Sequence, residues 1–246
     1  MNKNDMSDKG IKEEIVVEDT ATQEVPETES VSTFRLVATL AIAGALAGLL
    51  IVLVNQHTKP IIDKYKAEQL QLAVYEVLPG VERYNTFYLV NDALSLTLPD
   101  GAKESEYKRI YVGYDAANTV SGVAISRGES GFQDIVQVIF GFDPVSGKLS
   151  GMKILDSKET PGLGDKIFKD LVFVKQFFDG PETPLVAVKA GTGKGQPNEI
   201  DTITGATISS KVVISVINNG LKEWMPIIDQ GIPQAPAVSA DEEVSP

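Results

Sequence analysis

Cysteine is absent from the 246 residues, and His57 is the one histidine. Disulfides, cysteine-ligated zinc, iron–sulfur clusters and thiol catalysis are thereby excluded. A Ser–His–Asp triad would have to use His57, three residues beyond an apolar run, where no folded scaffold would hold an imidazole rigidly. Redox chemistry in such a chain requires an organic cofactor. A long Lys/Arg stripe is also missing, so nucleic-acid binding lacks its electrostatic footprint. The formal net charge is −12, and half of it falls in the first thirty residues, with nine acidic and three basic side chains. That segment has no aromatic residue. Its composition predicts a solvated, disordered tail over residues 1–35.

Charge is absent altogether from Leu36 to Val54, where Thr39 is the most polar member. As a helix this run is about 28 Å long, close to the hydrocarbon thickness of a bilayer. A buried core helix would show a polar face, and this run has none. A secretory signal would open on a short basic segment, whereas thirty-five residues with mostly acidic charges come first. A retained transmembrane anchor over residues 36–54 is expected. Lys3, Lys9, Lys12 and Arg35 on one flank balance Lys59, Lys64 and Lys66 on the other, so positive charge does not set the orientation.

Beyond the anchor, Thr58-Lys59-Pro60 reads as a helix start and Pro79-Gly80 as its end. Ile61, Ile62, Tyr65, Leu72, Tyr75, Val77 and Leu78 give it a broad apolar face, suited to docking on a folded domain. From Thr86 to Ser157 the pattern is strand-like. Arg109–Tyr114 and Ser121–Ser126 flank one hairpin turn, Asp115–Asn118. The segments 135–142 and 148–155 flank a second, Asp143–Gly147. Such short connections imply antiparallel pairing. Helical periodicity returns over residues 166–178 and 209–224. The pattern predicts one α+β domain over residues 58–228, an antiparallel sheet with flanking helices, then a loose tail at 229–246.

Two motifs stand out. Asp201-Thr202-Ile203-Thr204-Gly205-Ala206-Thr207 is a small-residue turn directly before a helix whose Val212, Val213, Val216, Ile217, Leu221 and Trp224 share one face. A hydroxyl there can cap the helix, or lie where unpaired N–H groups and the positive dipole end favour a phosphate. Glu159-Thr160-Pro161-Gly162-Leu163-Gly164, between a strand and a helix, forms a turn through which backbone approaches a ligand closely, and Asp165 is placed to cap the next helix. Ala190-Gly191-Thr192-Gly193-Lys194-Gly195 looks like a phosphate loop but fails. Val188 stands where the first Gly belongs, and Gly195 replaces the Ser or Thr that would hold magnesium. No glycine-rich dinucleotide fingerprint follows a strand, so NAD binding by the chain itself is not expected.

Together the two motifs, with Val77-Leu78-Pro79-Gly80 and Gly131-Phe132-Gln133-Asp134, resemble the FMN-binding subunit of membrane redox ion pumps. These are the G subunit of the Rnf complex and the C subunit of the sodium-pumping NADH:quinone reductase. Gly164-Asp165-Lys166-Ile167 is closer to the Rnf type. The resemblance runs from Leu36 to about Pro226. It implies covalent FMN, attached as a phosphoester to Thr207 by an FAD-dependent flavin transferase. Thr207 is then the point of attachment and not a nucleophile in turnover, and neither catalytic side chains nor metal ligands are implied. Glu159, Thr160, Gly162, Leu163 and Gly164 would line the flavin. Asp201 and Thr204 would orient the turn, and Gly205 and Ala206 would leave room for the transferase. A His common two residues before the motif's Glu is replaced by Ser157. The two tails are not matched by the family pattern.

The resemblance implies a redox-carrier subunit of an ion-translocating ferredoxin:NAD oxidoreductase. Its partners would be the other membrane and redox subunits of that complex. It would sit in the cytoplasmic membrane by a single span, with the domain on the extracytoplasmic side. The quinone-reductase subunit is the related alternative. A cofactor-free, membrane-anchored assembly module is the alternative from another class, and visible flavin absorbance separates it from both.

Overall fold

The computed structural model describes residues 32–234. The two expected tails lie outside these residues, save for 32–35 and 229–234. The chain divides into two compact units, Met1–His57 and Thr58–Pro246.

Helix α1 (Thr33–Val77) takes in the whole uncharged run and begins before it. It is long and apolar enough to cross a membrane. The Thr39 hydroxyl donates to the Arg35 carbonyl at 2.8 Å, so the run's most polar side chain is satisfied within the helix. The helix start expected at Thr58–Pro60 does not occur, because α1 continues through Pro60. Proline forfeits the bond to the Gln56 carbonyl but keeps a helical φ, and turns on both sides sustain the helix.

Within the second unit, the end of α1 packs as the apolar face predicts. Ala73, Val74 and Val77 are buried against Tyr111, Ala124 and Ile139. The Ser150 hydroxyl donates to the Val77 carbonyl at 2.5 Å and satisfies the helix end. A Cβ on Gly141 would stand 2.0 Å from that carbonyl, so only glycine lets the helix end reach the sheet. Gly80, at φ +82°, then turns the chain away.

The sheet comprises β1 (Arg83–Val90), β2 (Ala93–Ser95), β3 (Arg109–Tyr114), β4 (Val120–Ser130), β5 (Ile135–Asp143) and β6 (Lys148–Asp156). Its order is β2-β1-β3-β4-β5-β6, antiparallel throughout. Alternation sorts its faces. Ile110, Val112, Val123, Ile125, Val138 and Phe140 point into the main core, while Tyr111, Ala124 and Ile139 point to the end of α1. Helix α4 (Thr207–Ile228) covers the main-core face with Val213, Val216, Ile217, Leu221 and Trp224. Gly220 brings it close, since a Cβ there would lie 2.8 Å from the Phe140 ring. Glu129 on β4 fixes the helix by accepting from Ser215 Oγ and Asn219 Nδ2, both at 2.8 Å.

The single helix expected over 166–178 is two short ones, α2 (Lys166–Lys169) and α3 (Leu171–Lys175). Asp170 breaks the run. Its extended backbone, ψ 99°, lets its carboxylate cap α3 by accepting from the Val172 and Phe173 N–H groups. Between α3 and α4 lie β7 (Val186–Lys189) and β8 (Glu199–Thr202), a separate parallel pair.

Candidate functional site

The Asp201–Thr207 motif leaves β8 and enters α4. The Ala206 N–H donates to the Ile203 carbonyl at 3.0 Å, and Gly205 at the third position has φ +84°. That conformation favours glycine, as in a type II turn. Ser210 fastens the turn from the next helical step. Its hydroxyl donates to the Ala206 carbonyl at 2.9 Å and accepts from the Ile203 N–H at 3.1 Å. The helix therefore starts without a side-chain cap. The N–H groups of Thr207, Ile208 and Ser209 make no hydrogen bond among the described residues. Thr204 and Thr207 are both exposed. The capping reading of these hydroxyls thus fails, and an open helix start is left.

Asp201 does not orient this turn. Its carboxylate accepts from the Gly191 N–H at 3.4 Å, and its backbone pairs with the Gln176 side chain. Thr204 makes no side-chain hydrogen bond among the described residues, so it does not orient the turn either. Ser210 does that work. In the phosphate-loop look-alike, Glu199 accepts from the Lys194 N–H at 2.6 Å. The chain's own carboxylates thus occupy those backbone donors.

The Glu159–Gly164 motif folds around a buried carboxylate. Glu159 accepts from the Gln133 N–H at 3.0 Å and from the Ser209 hydroxyl at 2.6 Å. Burial raises the pKa of Glu159, but these two bonds and the Phe132 and Asp134 N–H groups outweigh it and hold it below the usual carboxylate value. Two glycines make room. A Cβ on Gly131 would meet Glu159 Oε1 at 2.4 Å, and one on Gly164 would meet Glu159 Oε2 at 2.4 Å and Ser209 Oγ at 2.9 Å. The Thr160 hydroxyl donates to Gln133 Oε1 at 2.8 Å. One carboxylate thereby binds the β4–β5 turn, the motif and the first turn of α4 into a single cluster.

The rest of the motif faces outward. Gly162 has φ +78° and nothing near its missing Cβ, so its requirement is conformational and not one of close packing. Asp165 does not cap α2, because its side chain reaches back to the Gly162 N–H at 2.8 Å and pairs with Lys169. Leu163, Ile208 and Phe132 are 53%, 56% and 68% exposed. Each belongs to a segment that Glu159 joins, so three exposed apolar side chains stand on the elements tied to the open helix start. The motifs gave no role to Phe132 or Ser209. The signals were the glycine before Phe132 and the paired Ser209-Ser210 after the turn. A cleft of ≈ 1290 Å³ beside Tyr65, Arg109 and Arg127 contains no residue of the Glu159–Gly164 or Asp201–Thr207 motif and only Asp134 of the Gly131–Asp134 stretch.

These features fit a flavin nucleotide. Free N–H donors at a long helix's start suit a phosphate, and exposed apolar side chains suit an aromatic ring. Comparison with known proteins agrees. The family described as FMN-binding domain matches residues 131–222, which span all of these segments. The chain is 30% identical over 192 residues to the G subunit of the Na(+)-translocating ferredoxin:NAD(+) oxidoreductase complex of Acetobacterium woodii, covering 78% of this chain and 91% of that one. It is 28% identical over 189 residues to the G subunit of the ion-translocating oxidoreductase complex of Methanosarcina acetivorans, covering 76% and 92%. The corresponding G subunit of Escherichia coli K12 is 30% identical over 184 residues, covering 73% and 84%. The crystal structure of Shewanella oneidensis NqrC shares the fold, with a TM-score of 0.56 at 15% identity over 68% of this chain and 100% of that one. The chain belongs to the G-subunit family of Rnf-type ion-translocating oxidoreductase complexes and carries that family's FMN-binding domain.

Proposed function

We propose that the chain is the FMN-carrying electron-transfer subunit of an Rnf-type ferredoxin:NAD oxidoreductase ion pump, with FMN joined to Thr207 through a phosphoester. One observation carries the attachment. Thr207 is exposed at the uncapped start of a 22-residue helix, beside unpaired N–H groups that favour an anion. Bound FMN supplies one- and two-electron chemistry, which side chains lacking cysteine and metal ligands do not. The chain's own part is to hold and shield it. Leu163 packs against the flavin ring, and the Glu159 carboxylate keeps Leu163, Phe132 and α4 in register. Thr160 and the glycines at 162 and 164 shape the same wall. An FAD-dependent transferase makes the bond, and the exposed Thr204–Thr207 turn gives it access.

α1 anchors the domain in the membrane, where the other membrane and redox subunits are its partners. The domain lies on the extracytoplasmic side. The quinone-reductase subunit NqrC shares the fold at 15% identity, whereas the G subunits of ion-translocating oxidoreductase complexes are 28% and 30% identical over most of the chain. Thr207→Val tests the attachment. The variant should fold, because the shapes match, and should lose all protein-bound flavin fluorescence on a denaturing gel. Thr204→Val should retain it. Fluorescence surviving in Thr207→Val would overturn the assignment.

A further inference from the structure

We propose that Lys166 is the cation that positions the flavin phosphate at the Thr204–Thr207 turn, while the bond to Thr207 forms and afterwards. This rests on the reading of Thr207 as the attachment residue. Lys166 opens α2 and reaches the Thr204–Thr207 turn at Gly205. Its Nζ lies 4.0 Å from where a Cβ on Gly205 would stand. Gly205 has none, so the space between ammonium and turn stays open. A cleft of ≈ 530 Å³ lies there, lined by Lys166, Lys169, Gln176, Asp201 and Thr204 among others.

The Lys166 charge acts on Asp165 only at longer range, as the weakest of the influences on that carboxyl. Lys166 makes no ion pair among the described residues, whereas Lys169 is paired with Asp165. The neighbouring carboxylates are engaged elsewhere. Asp165 takes the Gly162 N–H and Lys169, Asp170 caps α3, and Asp201 faces the Gly191 N–H. A half-buried, unpaired ammonium beside the turn that opens α4 makes an anion cradle with it. The helix N–H groups supply partial charge, and Lys166 supplies a full charge.

The transfer step defines what the cradle must hold. The Thr207 hydroxyl oxygen forms a bond to the flavin-side phosphorus of FAD. The pyrophosphate P–O bond to that phosphorus breaks, AMP leaves with the bridging oxygen, and the hydroxyl proton passes to the transferase. No electron is transferred. The diester product keeps one negative charge, so Lys166 is a positioning residue for both donor and product.

The test uses full-length apo-protein from a host without the transferase, incubated with purified transferase and FAD and sampled for in-gel flavin fluorescence. Lys166→Met keeps the aliphatic stem and should slow incorporation about 10- to 100-fold, the effect of losing one hydrogen bond to a charged group. Lys166→Arg should recover most of the rate. Lys222→Met removes the same charge from an exposed position late in α4 and should react like wild type. In the loaded protein, the phosphorus resonance should move in Lys166→Met and stay in Lys222→Met. Thermal unfolding followed by Trp224 fluorescence checks that each variant is folded, and Lys166→Gln replaces the Met variant if that one is not. Wild-type rate and resonance in the neutral variant, with Thr207 modified, would overturn the role of Lys166 alone. Equal slowing by Lys222→Met would overturn it too. Flavin incorporation into Thr207→Val would overturn the attachment reading beneath it.

Discussion

Glu159→Gln changes one oxygen to an NH2 group and leaves the size unchanged. In the native cluster every partner of this side chain is a donor. The Gln133 N–H lies at 3.0 Å and the Ser209 hydroxyl at 2.6 Å, with the Phe132 and Asp134 N–H groups adding to them. An amide sets another donor against these donors in a buried site, so at least one charge-assisted bond is lost. Such bonds contribute about 1.5–3 kcal/mol each. The variant should therefore be destabilised by about 2–3 kcal/mol at pH 7, a fall in Tm of roughly 4–12 °C for a domain of this size. Trp224, the single tryptophan and a member of the main core, reports unfolding by fluorescence in detergent. The pH dependence gives the sharper test. The folded-state pKa of Glu159 is depressed, so its contribution is fully present above the ordinary carboxylate value and is lost as pH falls through the folded value. The difference between wild type and Glu159→Gln should thus narrow below about pH 4. No difference at pH 7, or one that stays constant from pH 7 to pH 3, would refute the charge-assisted lock.

The two glycines of the same motif should respond differently. Gly164→Ala, whose Cβ would meet three atoms of Glu159 and Ser209 under 3.0 Å, should cost more stability in chemical denaturation than Gly162→Ala, whose cost should be about 1–2 kcal/mol from backbone strain alone. The opposite order would contradict the packing described. Leu163→Ala should change stability by less than about 0.5 kcal/mol, because the side chain is mostly exposed. It should nevertheless shift the flavin reduction potential and fluorescence quenching, and wild-type values of both would remove this motif from the flavin. Alkaline extraction should leave the full-length chain in the membrane, and protease added to spheroplasts should digest the domain. A soluble, shortened chain would show instead that α1 is cleaved.

Much of the fold was legible because burial imposes a period. The 109–114, 121–126, 135–142 and 148–155 runs became four of the strands, and the apolar stripe from Val212 to Trp224 became the core face of α4. Interruptions were harder to read. Asp170 sits inside a helical period and could belong to a solvent face, and only its backbone turn makes it a cap. Pro60 carries a start signal, yet α1 passes through it. The site was legible as a pair of motifs but not as a division of labour. Ser210, not Asp201 or Thr204, fastens the Ile203–Ala206 turn by hydrogen bonds. Glu159 faces inward to the backbone of residues 132–134, which sequence separation hides. Lys166 reads as one more helical lysine until Gly205 is placed beside it.

Tandem mass spectrometry of the peptide spanning Thr204 to Lys211, from protein made in a host with the flavin transferase, tests the central claim most directly. The peptide should carry the mass of one FMN less one water, with fragment ions placing it on Thr207, and Thr207→Val should yield the bare peptide. An unmodified wild-type peptide, or flavin mapped to any other residue, would contradict the account.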